Sequence, residues 1–199
     1  MRAWVAMGVA GGAIVSGARD ASALGPVDVE VAADGSFGTN PSSSAANPLA
    51  FGAGARAGAS MMGFYAGADL AYYFGRGTAN AGFDSKITEH ALKVGGDLGY
   101  GFKIGPVTVR PHLGLGDLVI STSVMRGPVC ACQIVQVVPQ PSEQNDVYIE
   151  GAVTALVPLD MFFVGANVEF LVLPNPSDGS CCDQLETAFT FGAETGIRF

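Results

Sequence analysis

The sequence predicts an all-β fold, an eight-stranded antiparallel up-and-down transmembrane β-barrel. Three observations carry that prediction: an apolar, charge-poor composition, a period of two in hydrophobicity, and connections that alternate between long and short. The 199 residues are 49% hydrophobic and only 14% charged, with 28 glycines and a formal net charge of −8. That is about half the charge and twice the glycine of an ordinary soluble domain. Mean hydropathy is +0.35, yet no continuous apolar run reaches the roughly 18 residues that a membrane helix needs. Strands that alternate apolar and polar residues reconcile these facts, because a closed barrel crosses a bilayer with only one face of each strand in lipid. The apolar content excludes a disordered chain, and a pI near 4.5 argues against a nucleic-acid partner. The length suits one domain.

Residues 1–23 read as a secretory signal peptide. Arg2 precedes an uncharged stretch from Ala3 to Ala18, and Ala21-Ser22-Ala23 offers the small residues a signal peptidase needs. Cleavage is expected after Ala23, with Ser16-Gly17-Ala18 as a second candidate, leaving residues 24–199 as the barrel. No cysteine follows either site, so a lipid anchor is not expected.

The first strand is a short alternating piece, Val27 to Val31. Leu49 to Ala59 follows, with Leu49, Phe51, Ala53, Ala55, Ala57 and Ala59 on one face and Arg56 among glycines on the other. Phe64 to Phe74 repeats the pattern, and in Ala91 to Phe102 an apolar face opposes Lys93 and Asp97. Val107 to about Thr122, Val147 to Val157, Phe162 to Leu173 and Thr187 to Phe199 complete eight segments. Their lengths match the 9 to 11 residues with which a tilted strand crosses a membrane.

The gaps at Asp34–Pro48, Gly75–Thr88, Ser123–Asp146 and Pro174–Glu186 are long, whereas Ser60–Gly63, Lys103–Pro106 and Pro158–Met161 are short. Strict alternation is what long external loops and short periplasmic turns produce. Along these directions, outward Phe64, Tyr100, Phe102, Phe162 and Phe199 fall near one rim, and Phe51, Tyr72, Phe74, Phe170 and Phe189 near the other. Two aromatic bands around Ala, Val and Leu fit a hydrocarbon slab with two interfaces. Two irregularities stand in the fifth segment: Pro111, which removes a ladder donor, and Asp117, whose place in the alternation predicts a bulge near Gly114 or Gly116.

The terminal strand, Thr187 to Phe199 and ending on phenylalanine, resembles the assembly signal of bacterial outer-membrane barrels. With the signal peptide and eight strands, the chain is similar to the small barrels typified by outer membrane proteins A and X. The resemblance implies residence in a bacterial outer membrane as a monomer among outer-membrane lipids, with the barrel assembly machinery as a partner during biogenesis. No peptidoglycan-binding domain follows Phe199, so wall anchoring is not implied.

The expected lumen residues are Asp28, Glu30, Arg56, Asp69, Lys93, Asp97, Arg110, His112, Glu150, Asn167, Glu169, Glu194 and Arg198. Arg or Lys facing lipid at mid-depth costs roughly 2 to 4 kcal/mol, so their inward placement is first a stability requirement. Seven carboxylates against four cations and His112 suggest an ion-pair network that plugs the lumen. The alternative is a narrow, porin-like channel for small cations or other small solutes, and a lipocalin-like secreted carrier is a third reading.

No enzyme is expected, because neither His90 nor His112 has the nearby serine that a base-activated nucleophile requires. No cofactor or metal is expected either. Cys130, Cys132, Cys181 and Cys182 fall in the third and fourth long loops. An exported protein with four cysteines favours disulfides, and bridges between the two loops would staple the mouth. A metal site built from the same thiols is the alternative. The third loop contains the apolar run Ile134 to Val138, which would extend as a hairpin above the membrane, and the loops are the expected place for an extracellular ligand. Isolated aromatics in Gly82-Phe83 and Gly35-Ser36-Phe37-Gly38 are too weak to name one.

Overall fold

The structure is a computed structural model that describes residues 27–39, 47–76, 78–79, 86–125, 142–174 and 185–199. Residues 1–23, expected to be a signal peptide, the four cysteines, Phe83 and the run Ile134 to Val138 lie outside the described residues. Eight long strands form the wall: β1 (Val27–Thr39), β2 (Asn47–Met61), β3 (Phe64–Arg76), β4 (Lys86–Tyr100), β5 (Val107–Met125), β6 (Ser142–Leu159), β7 (Phe162–Val172) and β8 (Thr187–Arg198). Phe102–Ile104 continues β4, and Thr78–Ala79 adds a short pairing at its start.

Each strand pairs antiparallel with its chain neighbours, and β1 pairs with β8, so the sheet closes. Following cross-strand partners once round the wall leads from Val29 through Ala59, Ala66, Leu98, Leu113, Gly151, Phe170 and Phe189 to Thr39. The path returns to β1 ten residues from its start, which is the shear of the barrel. With eight strands, that shear tilts them by about 40° and leaves an interior just wide enough for side chains.

The three short connections are two-residue turns. Met61 pairs with Phe64 across Met62 and Gly63, whose φ values are 54° and 89°. Two consecutive positive φ angles make the turn whose twist matches the flanking strands. Gly105 (φ 61°) before Pro106, and Asp160 (φ 63°) before Met161, open the other two hairpins.

The outward face is apolar and aromatic at both rims. Phe64, Tyr100 and Phe102 form edge-to-face contacts at 5.0 and 4.9 Å near the turns. Phe51, Tyr72 and Phe74 cluster at the opposite rim, where Phe170 and Phe189 meet at 4.8 Å. Phe64 and Phe74 lie at the two ends of β3, ten residues apart, or ~25 Å along the barrel axis at this tilt. That separation matches the apolar band of a membrane barrel.

Four local expectations need correction. The first strand is not short: it runs from Val27 to Thr39 and takes in Gly35, Ser36, Phe37 and Gly38, which had the composition of a loop. Pairing with β8 throughout, and with β2 as far as Ser36, holds this stretch in place. Asp117 does not sit at a bulge; the β4–β5 and β5–β6 registers are continuous across it and its side chain is exposed on the outer face. It lies ten residues beyond Val107, level with the outer aromatic band at roughly 25 Å from the turns. Pro111 is also outward and costs a single interruption without a bulge. The β4 ladder breaks at Gly101, beside Tyr100, the residue facing Pro111, and Gly101 N–H donates instead to Gly63 O at 2.7 Å. Leu49, assigned to the same face as Phe51, is fully buried inside, while Phe51 is 58% exposed. A register shift between Asn47 and Phe51 turns it inward. Asn47 drives the shift: its Oδ1 accepts from Leu49 N–H at 3.2 Å and its Nδ2 donates to Gly38 O at 2.7 Å.

Candidate functional site in the lumen

Alternation places every polar position of the sequence reading on the inner face, and the structure shows how they meet. Nearest the turns, Glu30 Oε1 on β1 accepts from Arg110 Nη2 at 2.9 Å and from Arg198 Nη2 at 2.8 Å. The Arg110 guanidinium lies 4.0 Å over the Tyr65 ring, with Arg56 at 5.6 Å from the same ring. Asp28 shares this inward parity but is exposed at the mouth.

One level higher, Arg56 Nη2 on β2 binds Glu194 Oε1 on β8 at 2.7 Å, and its Nη1 reaches Thr154 Oγ1 at 3.5 Å. His112 stands between Asp97 (3.9 Å) and Glu150 (3.7 Å), with Nδ1 3.3 Å from Arg110 O. Above it, Lys93 Nζ gathers three carboxylates: Glu150, Glu169 at 2.9 Å and Asp69 at 3.5 Å. Glu169 also accepts from Thr190 Oγ1 at 2.8 Å and Asn167 Nδ2 at 3.0 Å. The charges therefore form three linked levels that use all eight strands.

Glycine makes this possible at defined points. A Cβ on Gly95 would collide with the Tyr148 hydroxyl, and one on Gly67 with the Tyr65 hydroxyl. Tyr148 reaches from β6 across to β4, and Tyr65 lies along its own strand, only because no side chain rises at these points.

The sequence reading missed two features. Asp34, assigned to a loop, is an inward residue of β1 and lines the same interior cavity as Lys93 and Asp97. Beyond Lys93, apolar residues dominate the interior: Leu49, Leu118, Ile120, Leu171, Leu173 and Leu185 pack with Tyr73 and Tyr148 into one buried cluster, beside the buried Asp146, which faces Leu118 in register and accepts from Gln144 Nε2 at 2.6 Å. The signal was present in the inward parity of β5, where Arg110 and His112 give way to Leu118 and Ile120. It was equally present in β7, where Asn167 and Glu169 give way to Leu171 and Leu173. A smaller apolar group, Ala32, Leu156 and Phe163, lies at the turn end.

The cavity among Asp34, Asp69, Lys93, Asp97, Glu150 and Asn167 measures ≈ 20 Å³, room for about one water. A polar interior inside an apolar exterior is the reverse of what a lipocalin-like carrier of apolar ligands needs. His90 faces outward, stacked on Tyr72 at 6.0 Å, and its register partner is Ser121. Its Nδ1 has no hydrogen-bond partner among the described residues.

No protein-family model matches the chain, and no curated protein matches it. Solved structures do. A major outer membrane protein from Thermus thermophilus superposes with a TM-score of 0.61 at 14% identity, covering 87% of this chain and 99% of that one. Neisserial surface protein A gives 0.55 at 13% identity, covering 87% and 97%. At such identities the likeness is one of fold: this chain has the closed eight-stranded architecture of outer-membrane barrels.

Proposed function

We propose that the protein is an integral outer-membrane barrel, exported through a cleaved signal peptide, with a plugged lumen and a structural or surface-interaction role carried by its long loops. The observation that supports the plug is the pair of stacked barriers inside one wall. A buried ion-pair network spans the lumen from Arg198 to Lys93, and an apolar layer around Leu118 and Leu171 lies above it. An ion leaving the polar levels toward the outer mouth would have to shed much of its hydration in this mostly apolar layer, where Asp146 lies beside Leu118, and that is costly for an unpaired charge. Disulfides among Cys130, Cys132, Cys181 and Cys182 would staple the outer loops, which would then present any extracellular ligand with a fixed surface. Outer-membrane lipids surround the apolar face, the barrel assembly machinery inserts the chain, and a monomer suffices because the sheet closes on itself. We assign no enzymatic role.

Purified protein in planar bilayers tests the plug. The expected result is silence, and discrete cation-selective openings would replace this reading with the narrow channel. Outer-membrane fractionation and heat-modifiable gel mobility are expected from the barrel, whereas a soluble periplasmic protein would refute its location. Intact mass under non-reducing conditions is expected to lack free thiols; four free thiols would remove the staples.

A further inference from the structure

The lumen holds one meeting of hydrogen-bond acceptors with no hydrogen between them. His112 Nδ1 lies 3.3 Å from Arg110 O. A carbonyl oxygen has no proton to give, so the ring donates and Nδ1 carries the hydrogen. In a neutral ring Nε2 is then a bare acceptor. It faces two carboxylates, Asp97 Oδ2 at 3.9 Å and Glu150 Oε1 at 3.7 Å, and none of the three side chains is more than 4% exposed.

The sheet register builds this meeting. Asp97 on β4 and Glu150 on β6 are both partners of Gly114 on β5, two residues beyond His112 on the same inner face. A Cβ on Gly114 would stand 3.3 Å from the Glu150 Cβ and 3.6 Å from its Oε1, so the glycine leaves room for that carboxyl beside the ring.

The surrounding charges do not relieve the contact. The other walls present Asp34 from β1, Arg56 from β2, Asp69 from β3, Lys93 from β4, Glu169 from β7 and Glu194 from β8. Arg56 is engaged by Glu194, Arg110 by Glu30, and Lys93 by Glu150, Glu169 and Asp69. Among the described residues, Asp97 has no cation but His112 within ion-pair distance, and its Oδ1 has no hydrogen-bond partner. The Tyr65 hydroxyl lies over Gly67, as Asp97 Oδ1 does, but makes no hydrogen bond to it. A buried lone pair turned toward an unpaired carboxylate is costly unless a donor comes between them.

We propose that Asp97, His112 and Glu150 together hold one proton at neutral pH that the same groups would release if separated, so that folding of the barrel takes up a proton. The proton belongs to the trio, because groups this close titrate as a unit. On Nε2 it makes an imidazolium between two carboxylates; on a carboxyl oxygen it is donated to Nε2. Either position replaces facing acceptors by a donor and an acceptor. The inference goes beyond the plugged lumen, since it ties the stability of that interior to pH.

The test is urea unfolding of the refolded protein in detergent from about pH 7 to about pH 8 at fixed ionic strength, a range in which the separated groups hold only a small fraction of a proton. A folded state that binds one more proton than the unfolded state loses stability as pH rises. The unfolding constant is therefore expected to rise close to tenfold across that range, or about 1.4 kcal/mol. Asp97→Asn removes one charge and sets a permanent N–H donor beside Nε2, so its unfolding constant should stay nearly flat. Reading wild type against Asp97→Asn cancels groups common to both, such as the terminal amine, and Asp28→Asn at the open mouth should keep the wild-type slope. Nitrogen NMR of the histidine ring supplies a second readout. The chain has two histidines, so in His90→Gln the single ring is His112, expected with Nδ1 protonated at about pH 8. Equal slopes in wild type and Asp97→Asn would overturn the proposal. A ring protonated on Nε2 alone would overturn it too, because that tautomer already donates to the carboxylates and needs no further proton.

Discussion

Replacing Lys93 with methionine is the sharpest perturbation of the lumen. The substitution keeps an unbranched chain of nearly the same length and removes the ammonium that three carboxylates share, at 2.9 Å for Glu169, 3.5 Å for Asp69 and closer for Glu150. Lys93 and Glu150 are almost completely buried, Glu169 retains donors in Thr190 and Asn167, and Asp69 is partly exposed. Removing one partner of a buried pair costs about 3 to 5 kcal/mol, because the remaining charge is stranded, whereas an exposed pair is worth about 0 to 1 kcal/mol. Asp69, being partly solvated, contributes least to that penalty. Lys93→Met is thus expected to lose about 3 to 5 kcal/mol in urea unfolding from detergent or vesicles. Adding Glu150→Gln and Glu169→Gln to the same chain should recover most of the loss, since it removes the stranded charges. A loss below ~1 kcal/mol for the single variant would refute the argument, for it would mean that these levels are bathed in bulk water.

Three further predictions use the same assay. Val153→Arg on the lipid face is expected to cost about 2 to 4 kcal/mol, as Arg does at the bilayer midplane. Asp117→Asn, at the level of the outer aromatic band, is expected to change stability by no more than ~0.5 kcal/mol, and a larger shift would show that Asp117 lies deeper. Gly95→Ala should cost about 1 to 3 kcal/mol by driving the Tyr148 ring off its strand; Tyr148→Phe in the same chain should relieve part of it.

The fold was largely legible because a period of two is a geometric property of strands, and one misplaced residue inverts a whole face. Lys93, Asp97, Arg110, His112 and Glu150 could be placed inside from parity alone. The errors have separate causes. Gly35 to Gly38 had the composition of a turn, yet pairing with β8 throughout and with β2 as far as Ser36 makes them part of β1. Leu49 had a lipid-facing parity until the Asn47 side chain shifted the register. Asp117 disturbed the alternation without a bulge, because a carboxylate at the interface level is tolerated on an outward position. The leucine layer escaped notice for a different reason: an inward Leu and an outward Leu are the same letter, and only the sheet partners tell them apart. The cysteine pairing was never legible, since four thiols in two loops admit three connectivities.

The two-residue turns have a consequence for how the molecule assembles. Hairpins β2–β3, β4–β5 and β6–β7 pair residues close in sequence and can form as soon as their own segments are available, since short loops cost little closure entropy. The seam between β1 and β8 is the opposite case. It joins Glu30 to Arg198 and Val29 to Phe199, whose backbone groups exchange hydrogen bonds at 3.1 and 2.9 Å. Until that seam zips, β1 and β8 are naked edges able to pair with any other strand. Pairing of β8 with β1 therefore completes the cylinder, and the time between hairpin formation and seam closure is the interval in which both edges stand open.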